Sequence, residues 1–563
     1  MSFTTRDGKV IIGEKGLDIS NVERVDIITR TQELTGKIVG QKDVNIILGQ
    51  NEVNLAGIVT PIMTSDNKPA LSLNGGALGS IYSNGQVNII STEKGVGVNL
   101  KSSVLSENDI RMKINGNADV KEIISKNTEI QTENLKTDKI NANNLNITAK
   151  DYENRKEITA QNVNISSINF KNNELTAGNL TLNTGNTESD RISANNVNIK
   201  GTNLKTNVLE GQNISLAISN NINNKGNIVA GTLNISAKDF DNKEIVANNL
   251  NLNTSGKIQS NKISSNTSNI KGQDITSNEI ETGILKLQGN NIQSNKITSN
   301  DLKVTGNTFL NNDKVDATSA DFNLQNDFTT KGTVSTDKLT VKSNNVVNDG
   351  KILSGSANIS VKEKVINNDT VNIGKLDVNA KSLENKKDIR ANNLNVTTNE
   401  SVNTGTITAN NVSVNAGSVV NTNKIETESL NIKTTGNTEN SGQILSNNLT
   451  VNSDNFINKN EVSVDKGTIT ANNVIKNENK INANELTTNS RSLVNEKKIE
   501  VGTGTFTTTE DIENKDLLAG NDLKFKGRNL LNSEGKTIFA TNKLEADMTG
   551  NIVNKKAEIL SQN

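Results

Sequence analysis

Apolar and polar residues alternate along most of this chain. Short phrases such as Val163-x-Ile165 and Ile158-x-Ala160 have a period of two, the signature of a half-buried strand. No apolar i, i+3, i+4, i+7 stripe persists. The phrase Asn-Asn-Leu-Asn-Ile at 143–147 recurs at 161–165, 195–199, 248–252 and 392–396 with conservative changes. A second apolar mark precedes it by five residues: Ile158 before Val163, Ile192 before Val197, Ile245 before Leu250, Ile389 before Leu394, Ile481 before Leu486. About 23 such anchors lie between Leu145 and Leu544, roughly 18 residues apart. A period of this size marks a solenoid.

The local pattern selects the type of solenoid. Asn-Gly, Asn-Asn, Thr-Gly and Asn-Lys punctuate the units and break helices. Two or three short strands with tight turns fill about 18 residues, which is one coil of a parallel β-helix. The leucine-rich frame and its helical return are not visible. The expectation is an all-β, right-handed parallel β-helix (solenoid) of roughly 18-residue coils. Residues 121–563 would supply about 23 coils, a stack roughly 110 Å long at about 4.8 Å per coil. Residues 1–120 would form a less regular β cap. The expected inward set is Ile158, Val163, Ile165, Ile192, Val197, Ile199, Ile245, Leu250, Leu252, Ile297, Leu302, Ile389, Leu394, Val396, Ile425, Leu430 and Ile432. One coil holds too few apolar side chains to offset its own ordering entropy, so each depends on its neighbours.

Composition sharpens this picture. Of 563 residues, 101 are Asn, with no Cys, His or Trp and only 2 Tyr. In a parallel stack like residues recur every 4.7–4.9 Å or so. Asn can then form amide ladders free of charge repulsion, which makes turn and ladder chemistry the expected role of the Asn excess. Polar chains of this kind are often disordered; the periodicity argues otherwise here. Lys and Arg number 61 against 62 Asp and Glu, which leaves no basic footprint for nucleic acid. Absent His and Cys exclude Ser-His-Asp and Cys-His nucleophiles, His/Cys zinc sites and disulfides. No apolar run reaches the length of a membrane-spanning helix. The N-terminus lacks the basic and apolar regions of a signal peptide, so any export signal is expected elsewhere.

Candidate chemistry is sparse. Glu510-Asp511, Asp239 with Asp241, and Glu426 with Glu428 are the acidic groupings that a β-helical glycoside hydrolase would need. They fall at turns or alternate outward, and few aromatics are present to stack sugars. The expectation is no enzyme, with no catalytic, cofactor or metal residues and an unknown binding site. Gly75-Gly76 lacks the Asp of a calcium nonapeptide, Thr505–Thr509 reads as strand filler, and no phosphate-binding glycine loop occurs.

The first 120 residues carry denser apolar runs, Val10-Ile11-Ile12, Val44–Leu48 and Val87–Ile90, and both prolines, Pro61 and Pro69. Five phrases here keep a distinctive order: Gly13-Glu14-Lys15-Gly16-Leu17-Asp18, Asp26-Ile27-Ile28-Thr29-Arg30, Gly49-Gln50-Asn51-Glu52-Val53, Gly76–Tyr82 and Ser91–Val98. They resemble the later half of the secretion domain of filamentous-haemagglutinin-type two-partner secretion exoproteins. The repeats resemble the same family's haemagglutinin repeats, so the likeness covers nearly the whole chain.

That resemblance implies a right-handed β-helical body, export through an outer-membrane barrel transporter, and a secreted or cell-surface, outer-membrane-associated location. The favoured function is a structural, adhesive segment of a large bacterial adhesin contacting a host-cell or bacterial surface receptor. The alternative is the stalk of a contact-dependent growth inhibition exoprotein, with a polysaccharide-degrading enzyme as a remote third. The family's signal peptide and Asn-Pro-Asn motifs are absent here and no toxin-like domain follows, so the chain is expected to be a fragment. The strand at Val10-Ile11-Ile12 is expected to leave an open edge, inviting end-to-end self-association.

Overall fold

The computed structural model describes residues 1–62 and 67–562, with strands, turns, bends and irregular segments and no helix among them. It is an all-β, parallel β-solenoid of about 30 turns with about 18-residue spacing. The chain divides into two compact units, Met1–Thr282 and Gly283–Asn563.

In the first unit, the opening coils already follow the parallel plan. Lys9–Ile12 lies on Thr31–Leu34, which lies on Leu71–Gly75, which lies on Gly97–Ser106. Arg24–Thr29, Asp43–Leu48, Gln86–Ser91 and Asp109–Ile114 stack likewise on another face. What departs from the plan is a small antiparallel sheet. Ser2–Thr5 pairs with Asn51–Asn54, which pairs with Val59–Pro61.

From Asn117 on, one coil follows another in near-constant register. Ile140, Leu145 and Ile147 stack on Ile158, Val163 and Ile165. All seventeen residues of the expected inward set are buried, none more than 3% exposed. Alternation explains this: every second side chain enters the lumen, and a slip of one residue would turn the whole set outward. Larger rings fill the lumen in places, as where Tyr152 packs on Phe170 at 5.2 Å.

From Thr333 to Asn532 in the second unit each coil is an eleven-residue strand followed by a four-residue strand, as in Thr406–Ala416 and Ser418–Asn421. The longer strand bends where two consecutive residues face outward, Asn410 and Asn411 in this coil. That outward pair is the corner between two faces. Phe506 stacks on Phe525 at 5.4 Å within the core.

The inward set is not wholly apolar. The last residue of the four-residue strand is a buried Asn in coil after coil: Asn421, Asn440, Asn458, Asn477, Asn495, Asn514 and Asn532. Each amide donates to the next one's Oδ1 at 2.7–2.9 Å. Each also reaches backbone carbonyls; Asn477 donates to Asn479 O at 3.0 Å and Lys498 O at 3.1 Å. Buried amides cost free energy unless bonded, and these are bonded on several sides.

Candidate functional site

Three of the five family-like phrases of the first coils, 26–30, 49–53 and 91–98, meet in space. Arg30 closes the strand Arg24–Thr29 and is 8% exposed. Its Nε donates to Glu93 Oε1 at 2.9 Å, its Nη1 to Asp7 Oδ1 at 2.7 Å, and its Nη2 to Asn67 O at 3.1 Å. Glu93 Oε1 also accepts from the backbone N–H of Gln50 at 3.1 Å. The hydrogen bond to Glu93 raises the guanidinium's already high pKa against the cost of burial, and Asp7 adds to the rise. Three turns from successive coils are thereby tied to one guanidinium.

Neighbouring residues complete the joint. Asn51, fully buried, donates to Leu48 O at 2.9 Å and accepts from Thr92 Oγ1 at 2.6 Å. Gly49 adopts φ +104°, and a Cβ there would meet Thr92 Oγ1 at 2.6 Å, so the turn requires glycine. Gly79 is required for another reason: its Cβ would lie 2.1 Å from Leu34 O on the coil beneath. Every hydrogen bond of this joint runs within the chain, so it is a positioning structure. It clamps the antiparallel sheet to the coil stack.

The acidic groupings singled out in the sequence do not converge. Glu510 faces Arg491 at 3.0 Å and Asp511 faces Arg528 at 3.2 Å. Asp239 accepts the backbone N–H of Lys257 at 2.7 Å, and Glu426 pairs with Lys424 at 2.8 Å. Glu426 and Glu428 line an open groove of about 540 Å³ in the second unit, with Asn410, Asn447, Asp465 and Asn482. Among the described residues no three acidic side chains are arranged to hold a metal ion. Thr505 and Thr507 flank the buried Phe506, which supports the strand reading of that segment.

Amide ladders are the other recurrent arrangement. On the outer surface of the first unit Asn144, Asn162, Asn179, Asn196 and Asn213 each donate to the Asn one coil below at 2.7–2.9 Å. The series ends on Asn127, which donates to Asp109 Oδ1 at 2.8 Å. A carboxylate only accepts, so Asp109 at the foot fixes the direction of every amide above it. The parallel ladder Asn169, Asn186, Asn203 and Asn220 likewise starts from Asp151. Sequence reasoning foresaw ladders but not the buried one. Its signal was present: an Asn at a fixed phase, four residues before Ile425, Ile444, Val462, Ile481 and Ile499.

The fold therefore defines a class: a parallel β-solenoid whose first coils carry a clamped antiparallel insert. Residues 1–121 match the TPS secretion domain. The tRNA nuclease CdiA of Yersinia mollaretii is 34% identical over 124 residues, which is 22% of this chain and 4% of that protein. The toxin CdiA of Escherichia coli is 33% identical over 110 residues, 20% of this chain and 3% of that one. The 16S rRNA endonuclease CdiA of Enterobacter cloacae is 32% identical over 127 residues, 23% and 4% of the two chains. The matched segments thus span only 3–4% of these relatives' lengths. No solved structure matches. With a secretion-domain match at its N-terminus and relatives of this kind, the chain resembles two-partner secretion exoproteins of the filamentous-haemagglutinin type, and a parallel β-helical body follows that domain.

Proposed function

We propose that this chain is the secretion domain and stalk of a contact-dependent growth inhibition exoprotein. The observation that carries the reading is the match of residues 1–121 to a TPS secretion domain, together with relatives named as CdiA toxins and nucleases. In this reading the N-terminal coils engage an outer-membrane barrel transporter, the protein is secreted and held at the cell surface, and the repeats hold distant segments away from the cell. In this reading toxic chemistry belongs elsewhere in the full exoprotein. The absence of Cys suits passage of an unfolded chain through a pore. The adhesin reading draws support only from the outward faces.

A co-culture experiment with the complete gene and its neighbouring transporter tests this. Target cells lacking the cognate immunity function should lose viability on contact, and deletion of the transporter should abolish the effect. Undiminished target viability combined with loss of surface attachment on deletion would favour the adhesin. Self-association has its own test. Ile11, on the first strand of the parallel stack, is 63% exposed, and apolar edge strands invite pairing. Sedimentation should show concentration-dependent association that Ile11→Lys weakens; a monomer at all concentrations removes that part of the proposal.

A further inference from the structure

Charge is distributed unevenly around the coils of the first unit. In eight consecutive coils, from Asn143-Asn144-Leu145-Asn146 to Asn266-Thr267-Ser268-Asn269, three outward positions per coil form one face. Every one of those positions is Asn, Gln, Ser, Thr or Gly, and every one is exposed or half-buried. The preceding face carries Lys139, Glu157, Glu174 and Arg191, and the coil below begins the same face with Lys126 and Glu129. In a chain that is 22% charged, one bounded neutral face is a distinct surface.

Its side chains are also held in place. In five of the eight coils a ladder runs along the axis: Asn144, Asn162, Asn179 and Asn196 each donate one N–H and accept one, and Asn213 donates to Asn196. Each amide also has a second N–H and a second lone pair beyond those used along the axis. Strand register puts the next outward column beside it, Asn146 on Asn164, Ser215 on Asn234, Asn234 on Asn251, Asn251 on Asn269. The result is a lattice of donors and acceptors about 4.8 Å apart along the axis and roughly 6.5–7 Å apart across it. Gly178 and Gly231 leave room for Gln161 and Gln212 to lie across the corner, since a Cβ at either glycine would sit 2.3 Å from the Gln amide.

We propose that this face binds an extended neutral polysaccharide. Sugar hydroxyls both donate and accept, as the free half of each amide does, and an extended β-1,4-linked chain advances by nearly one coil per sugar, so that equivalent hydroxyls recur at every second coil. With no charge on the face, anionic glycans gain nothing there. Preordered amides lose little side-chain entropy on binding, and contacts repeated over eight coils give avidity from weak units. A second copy of the chain fits less well. The face covers on the order of 450 Å², below the roughly 800 Å² per partner of a stable dimer. This inference goes beyond the stalk reading, because the face exists whatever the export route.

The test uses the full chain in pull-downs on cellulose and chitin, with heparin–agarose as the anionic counterpart. Retention on the neutral polymers should be insensitive to salt and absent on heparin. Asn164→Lys with Asn198→Lys, in the column outside the hydrogen-bonded ladder, should cut retention at least tenfold without moving the thermal unfolding midpoint. Ser215→Glu serves as a second variant should the first be unstable. Retention by heparin alone, unchanged retention in both variants, no retention at all, or variants that instead abolish self-association would each overturn the proposal.

Discussion

The same side chain builds two kinds of column in this molecule, one wet and one dry. In the first unit the ladder from Asn127 to Asn213 lies on the surface, each amide bonded along the axis and open to water. In the second unit the ladder from Asn421 to Asn532 lies inside, every amide bonded along the axis and to backbone carbonyls. The difference is in the alternative each amide has. A surface Asn that loses its neighbour bonds to water at a small cost, whereas a buried one pays the full desolvation penalty. One ladder therefore orders a surface, and the other holds the coils in register.

The largest expected effect follows from putting a charge into the dry column. Asn477→Asp removes donors to Asn495, Asn479 O and Lys498 O and buries a carboxylate that faces those acceptors and keeps only the donor from Asn458. A loss of about 3–5 kcal/mol is expected, by analogy with an uncompensated buried charge, read as earlier local opening by hydrogen exchange around residues 458–498. Burial would hold the new carboxyl's pKa above its unfolded value, so the defect should ease as pH falls and the group takes a proton. Protection equal to the parent's at neutral pH would mean the column is wet.

A repair should act in the opposite direction. Thr488, 1% exposed, stands between Ile469 and Phe506 in the lumen, and its hydroxyl finds no hydrogen-bond partner among the described residues. Thr488→Val removes that unpaired group and should stabilise by about 1 kcal/mol, visible as a higher thermal midpoint. Smaller still is the surface change Asn179→Asp. It forfeits the bond to Asn162 but keeps acceptance from Asn196, so about 0.5 kcal/mol of destabilisation is expected. If it matched the buried substitution in size, the contrast between the columns would collapse.

The smallest effect is electrostatic. The Lys459 hydrogen bond, then that of Ser441, holds the Glu439 carboxyl below its ordinary pKa. A depressed carboxyl contributes stability above its unfolded value, near 4.3, and that contribution is lost as pH falls through the folded value. For a pair as exposed as this, a few tenths of a kcal/mol at most is expected. An acid titration of thermal stability should show that loss disappear in Glu439→Gln.

Much of the fold was legible in the sequence because its repeat is short and its lumen mostly apolar. Ile158, Val163 and Ile165 mark their coil without help, and Ile389, Leu394 and Val396 mark another. Two things were hidden. The buried Asn column reads as polar in any apolar-periodicity count, since Asn477 and its neighbours face inward for their hydrogen bonds rather than their hydrophobicity. The first coils hide their period because chain is inserted between them. Gln32 pairs with Leu73, 41 positions on, with the antiparallel strands Asn51–Asn54 and Val59–Pro61 in the gap. The clamp was half visible: Arg30 and Glu93 lay in phrases resembling a secretion domain, but nothing in the sequence alone joins positions 63 apart.

The fixed polarity of the inner ladder has a kinetic meaning. Each finished coil ends its column on an amide N–H that waits for an oxygen from the coil that follows, as Asn532 waits for Asn554 at 2.9 Å. Such a stack grows as a crystal grows on a seed, with its newest layer as the template and one end favoured over the other. A chain delivered from its N-terminus would lay down coils in the order they arrive. Truncations at successive coil boundaries from the C-terminus should then leave the remaining coils folded and remove stability one layer at a time; collapse of the whole second unit on losing one layer would show that its coils condense together.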